Sequence, residues 1–203
     1  MRHRLAALAA LTVIGTLLLA GCSATGGPSV PALGGSTSTS GAAAGSGGDR
    51  VAEVHAVAEC IRSHGAPTYQ DPVIDGSGHV YSDTRSLDRL SRAALAELDR
   101  SCGALAAAAG FSPTDEPPAP PALVAAGVRS AQCLRQNGMP AMHDPTSASP
   151  YTPGHGFGLT ARDLPNNGAL GKADPAVQRA FKACRALLDA EIRASELTSL
   201  AKG

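Results

Sequence analysis

Most of the chemistry open to this chain lies in its five cysteines, Cys22, Cys60, Cys102, Cys133 and Cys184. Cys22 closes the run Leu17-Leu18-Leu19-Ala20-Gly21-Cys22, behind an apolar stretch from Leu5 to Leu19 and a positive start of Arg2, His3 and Arg4. The apolar run is shorter than the ~20 residues a membrane-spanning helix needs, and small residues precede the cysteine, which together have the form of a bacterial lipobox. The expectation is that residues 1–21 are a lipoprotein signal peptide and that the Cys22 sulfur carries a diacylglyceryl group. Each buried acyl CH₂ contributes about 0.8 kcal/mol, so two or three chains hold such a protein on the extracytoplasmic face of the cell membrane. The other four cysteines are even in number in an exported chain and read as disulfides, with three pairings open.

A duplication narrows that choice. Ala58 to Pro72 aligns without gaps on Ala131 to Pro145, sharing Cys-[Ile/Leu]-Arg-x-[His/Asn]-Gly-x-Pro-x-x-x-Asp-Pro, and each copy is followed by a helical stretch with one more cysteine. Repetition favours Cys60 with Cys102 and Cys133 with Cys184. Arg62 and Arg135 occupy one place in the motif, and Asp71 and Asp144 another. They suit either a pair of anion-binding arginines or an Arg–Asp clamp within each copy, and their joint retention favours the clamp. Met139, Met142 and His143, with His155, would suit a soft Cu(I) site confined to the second copy. Met is equally a filler of aromatic-poor cores. Cys60 and His64 are spaced as a thiolate–imidazole pair, but Asn137 replaces the His in the second copy and an oxidised Cys60 is no nucleophile. Asp71, Asp75 and Asp83 around Gly76 and Gly78 lack the alternate-residue spacing of a calcium loop and read as a turn. No Gly-x-Ser-x-Gly elbow, Ser-x-x-Lys motif or phosphate-cradling loop is present, so neither an enzyme nor a cofactor is expected.

Helical elements must position these groups. Val51, Val54, Ala58 and Ile61 recur at helical spacing before Gly65 and Pro67, as do Val124, Val128, Ala131 and Leu134 before Gly138 and Pro140. Leu87, Leu90, Ala94, Leu98, Cys102 and Leu105 form one later stripe, and Val177, Phe181, Cys184 and Leu188 another, the second opened by an Asp174 cap and Pro175. Val73-Ile74 and Val80-Tyr81 flank a Gly-containing turn and predict a hairpin, whereas Thr146 to Gly171 reads as an irregular loop. The chain is therefore expected to be mostly α. It should comprise a flexible Ser/Gly/Ala tether over 22–49, a disulfide-stapled helix–loop–helix unit over 50–111, a Pro-rich connector over 112–121 and a second unit over 122–203. Aromatic residues make up 3% of the chain and Trp is absent, so cross-links should carry a large share of its stability. The 17 basic and 17 acidic residues cancel, which leaves no electrostatic case for nucleic acid.

The duplicated motif resembles that of a group of secreted proteins and lipoproteins of high-GC Gram-positive bacteria. Their pattern is close to Cys-Met-Arg-x-[His/Asn]-Gly-[Val/Ile]-Pro-x-Phe-Pro-Asp-Pro, followed by an Ala-x-x-x-Cys-x-x-Leu-Leu helix, here Ala180 to Leu188. Tyr69-Gln70 and Met142-His143 stand where that group has Phe-Pro. The resemblance covers most of residues 50–190 and implies a location and a fold, without a chemistry. The expected role is a non-catalytic interaction or binding module of the cell envelope, with the lipid bilayer as one partner and an envelope protein or small ligand as the other. A copper-binding lipoprotein and an enzyme of another kind are the alternatives. Cys22→Ala should abolish labelling of the protein by a clickable fatty acid; labelling that persists would overturn the lipobox.

Overall fold

The computed structural model describes residues 47–203; the signal peptide, Cys22 and the tether as far as residue 46 lie outside the described residues. The chain is mostly helical. Helix α1 (Gly47–Ser63) starts inside the stretch expected as tether. It buries Val54, Val57, Ala58 and Ile61, while Val51, expected on the same face, is 57% exposed because the cluster it would join ends at Val54. The helix stops at Gly65, whose φ of +128° only glycine adopts readily, and the Ala66 N–H closes back on the Ile61 carbonyl.

Strands β1 (Val73–Ile74) and β2 (Val80–Tyr81) pair antiparallel, Val73 with Tyr81 and Ile74 with Val80. Asp75 organises their turn, its carboxylate accepting from the Ser77 and His79 N–H groups and from the Tyr81 hydroxyl. The stripe predicted from Leu87 to Leu105 is split. Leu87 closes a short helix α2 (Thr84–Leu87), and Ser91 caps a separate α3 (Arg92–Ala108) by accepting from the Ala94 N–H. Leu105 is 46% exposed, and the buried line runs instead through Leu98, Cys102, Ala106 and Ala109.

Helix α4 (Pro121–Gln136) buries Leu123, Ala126, Gly127, Ser130, Ala131 and Leu134. Of the four residues predicted to face inward, Ala131 and Leu134 are buried and Val124 and Val128 only half-buried, so the inward face is turned in the first half of the helix. The Thr146–Gly171 stretch is not wholly irregular: it holds a second hairpin, β3 (Tyr151–Thr152) with β4 (Gly156–Phe157), then two 3₁₀ turns. Helix α5 (Pro175–Ala194) opens on Asp174, which accepts from the Ala176 N–H at 2.7 Å, and α6 (Leu197–Leu200) ends the fold. No helix among the described residues is long and apolar enough to cross a membrane.

Disulfides join α1 to α3 through Cys60–Cys102 and α4 to α5 through Cys133–Cys184. Chain separations of 42 and 51 residues give each about 4 kcal/mol in the chain-entropy picture. Each helix pair has its own cluster of buried side chains. A third cluster joins Tyr81 and half-buried Val73 of the first copy to Leu123, Tyr151, Leu197 and Leu200, and residues 47–203 fall in one compact unit.

The Pro-rich connector is held at this junction, with the Ala119 N–H on the Ser147 carbonyl and the Tyr151 hydroxyl on the Pro117 carbonyl. It carries Glu116, whose two buried carboxyl oxygens have no hydrogen-bond partner among the described residues. Burial, reinforced by the charges of Asp88 and Asp83, pushes its pKa up to about 7. An acid raised in the folded state favours folding while protonated, below its ordinary 4.5, and that advantage disappears as pH rises through about 7. Glu116→Gln should therefore melt higher than wild type by a few degrees, with a margin that widens between those two pH values by calorimetry. A margin independent of pH would contradict an enclosed carboxyl.

Candidate functional site

The motif residues repeat the same contacts in both copies. Arg62 donates from one Nη to the Tyr69 carbonyl at 3.0 Å and to Asp71 Oδ1 at 2.9 Å. Arg135 donates likewise to the Met142 carbonyl at 2.9 Å and to Asp144 Oδ1 at 2.8 Å. Each arginine thus ties the extended Asp-Pro segment to the end of its helix, as a clamp, and its charge is already answered by a carboxylate. The ion pairs are half-exposed and contribute little each, so their value lies in fixing geometry.

The His/Asn alternation has the same kind of cause. His64 Nδ1 lies 2.8 Å from the Cys60 carbonyl and must donate to it, and Asn137 Nδ2 donates to the Cys133 carbonyl at 2.9 Å. Both side chains place an N–H under the last helical turn, and the Cys60 carbonyl accepts the His64 backbone N–H and the Ser63 hydroxyl as well. Cys60, His64 and Cys102 form the one group of three His, Cys, Asp or Glu donors among the described residues close enough to share a metal. With both sulfurs bonded to each other, the group keeps a single ligand, His64.

The copper candidates separate into other duties. Met139 is fully enclosed among Leu134, Val177, Ala180 and Cys184. Met142 packs half-buried against the same cluster, and His143 pairs its Nδ1 with Asp163 at 2.9 Å. His155 is exposed. Asp163 also accepts from the His143 N–H, the Thr160 N–H and the Thr160 hydroxyl. Burial by itself would raise this carboxyl, but the bonds from Thr160 and His143 outweigh it and hold the pKa at about 2. Asp83 plays the matching part in the first copy, accepting from the Gln70 N–H and from Ser86.

Four of the core positions at which the copies differ border one cleft. With Cys60 aligned on Cys133 and Cys102 on Cys184, Val54, Val57, Ala106 and Ala109 correspond to Gly127, Ser130, Leu188 and Glu191. The first four are buried and apolar and close the core of the α1–α3 pair. In the second copy a cleft of about 810 Å³ lies there, walled by Leu134, Met142, Phe157, Leu159, Phe181 and Leu188 and lined also by Ser130 and Glu191. That volume is in the range of small-molecule sites. Phe181 and Leu188, predicted on the buried stripe of α5, are half-buried because they face it. Ser130, 2% exposed, has a hydroxyl with no hydrogen-bond partner among the described residues. Glu191, 7% exposed, accepts the Phe157 N–H on Oε1 and has no ion pair among the described residues.

Ser130 and Glu191 were not readable as a site from sequence, because a serine and a glutamate on helices look solvent-facing. The register of the two cysteine pairs is the signal that could have exposed them. Comparison with family models, with curated proteins and with solved structures yields no match.

The cleft wall depends on Gly127. A Cβ there would lie 2.6 Å from the Phe157 ring and 2.7 Å from Pro145 Cγ. Gly127→Ala should therefore destabilise by about 1–2 kcal/mol despite the better helix propensity of Ala, measured by chemical denaturation. A variant more stable than wild type would show that Phe157 does not pack on this glycine.

Proposed function

We propose that the chain is a non-catalytic binding module, anchored outside the cell membrane through acylated Cys22 and spaced from it by the Ser/Gly/Ala tether. It is built of two disulfide-stapled helix–loop–helix units, of which the second binds a small, largely apolar ligand. The anchor and tether rest on the lipobox and on composition. The binding role rests on one observation: Ser130 and Glu191 are buried beside an open cleft where the first copy buries Val57 and Ala109. An enclosed hydroxyl without a partner costs roughly 1–3 kcal/mol, and a ligand that answers it offsets that loss. No side chain among the described residues lies within hydrogen-bond distance of that hydroxyl.

The absence of tryptophan offers a clean test. A single indole introduced by Leu188→Trp reports on the cleft, and one introduced by Leu105→Trp on an exposed face of α3 serves as control. Phenylbutanol should change the emission of the first saturably and leave the second unchanged, and adding Ser130→Phe to the first should remove the response. No saturable change at position 188, or equal changes at both positions, would end the proposal.

A further inference from the structure

We infer that the cleft selects organic cations with an apolar body, the cationic head facing Glu191. The inference rests on the binding role proposed for the cleft and names the class of ligand. Three carboxylates line the cavity, and their pairing differs. Asp144 is held by Arg135 at 2.8 Å. Asp163 receives four hydrogen bonds, from the backbone and side chains of His143 and Thr160. A carboxylate has about four lone-pair sites, so this one is filled. Glu191 takes a single hydrogen bond, from the Phe157 N–H at 2.8 Å, and no lysine, arginine or histidine among the described residues pairs with it.

Glu191 is 7% exposed and accepts one hydrogen bond where a carboxylate can take about four, so it has acceptor sites left for the N–H groups of a cation. The basic side chains in and beside the cleft among the described residues are committed elsewhere or exposed. Arg135 belongs to the clamp, His143 to Asp163, and Arg162 is exposed at the mouth of the cleft. The walls suit the rest of such a ligand. Phe157 and Phe181 offer aromatic faces, which attract cations as well as hydrocarbon, and Leu134 and Leu188 extend the apolar surface. Ser130 supplies one more acceptor for an ammonium N–H. An anionic amphiphile would instead bring its charge to an unpaired acid.

The test compares phenylbutylamine, phenylbutanol and phenylbutanoate, which share an apolar body, on the full oxidised chain carrying the indole of Leu188→Trp. The amine should bind at least about tenfold tighter than the alcohol, and the carboxylate more weakly than either. Glu191→Gln keeps an oxygen for the Phe157 N–H, and should bring amine and alcohol to within about twofold of each other. If that variant does not fold, added salt should narrow the amine preference in the parent chain. An amine that binds no tighter than the alcohol, or a preference that survives Glu191→Gln, would overturn the cation and leave the cleft standing. A chain that responds to none of the three ligands would overturn the cleft itself.

Discussion

Everything in this fold depends on two helices being held face to face at one covalent point. A core assembled from Ala, Val and Leu, with no Trp and few aromatic rings, buries little area per residue. In such a chain the Cys60–Cys102 and Cys133–Cys184 bonds limit the freedom of the unfolded state and fix the register of each helix pair at the same time. The helix that ends in the Cys-x-Arg motif then has a set partner, and the side chains around the bond can be small. Ala58 and Ala131, two residues before the first cysteine of each bond, are both wholly buried, which only close helix contact permits.

The loops inherit their order from that point. A helix ends at Gly65 or Gly138, and the chain leaves in a direction that a bare cap would not secure. Arg62 and Arg135 reach back over the turn to a carbonyl and a carboxylate, so one guanidinium defines both the path and the end of the segment. Asp83 and Asp163 complete the hold by accepting the N–H of Gln70 and His143. The segment is thus gripped from its helix and from the loop beyond. In the second copy this fixes the approach of Pro145 and Phe157 to Gly127, the contact that shapes one wall of the cleft.

Much of the scaffold could be read from residue types, because its rules are local. The caps at Gly65 and Gly138, the Asp75 turn, the Asp174 N-cap and the cysteine register each depend on residues close in sequence or repeated in it. What escaped depended on distant surroundings. Apolarity puts the inward face of α4 on Val124, Val128, Ala131 and Leu134, and the last two are buried, yet Gly127 is enclosed in place of the valines because Pro145 and Phe157 of a downstream loop lie over it. The second hairpin escaped because its strands are two residues long and set among prolines and glycines. The match of Asp83 to Asp163 was hidden by unequal loop lengths, which break any fixed offset between copies.

The division of labour between the copies follows from the same hierarchy. Disulfide, clamp and cap act at the end of the first helix in each pair, away from the four positions that border the cleft. Those positions can therefore change without losing the elements that define the pair. The first copy keeps Val54, Val57, Ala106 and Ala109 and closes its core. The second carries Gly127, Ser130, Leu188 and Glu191, two of them buried polar groups that a core optimised for stability would not contain. A shared cluster around Tyr81, Leu123, Tyr151, Leu197 and Leu200 couples the two, so the packed copy supports the open one. Duplication of a cross-linked helix pair thereby separates the residues that hold the fold from those that line the cleft. The second set carries Ser130, whose hydroxyl has no hydrogen-bond partner among the described residues, and Glu191, which has a single one.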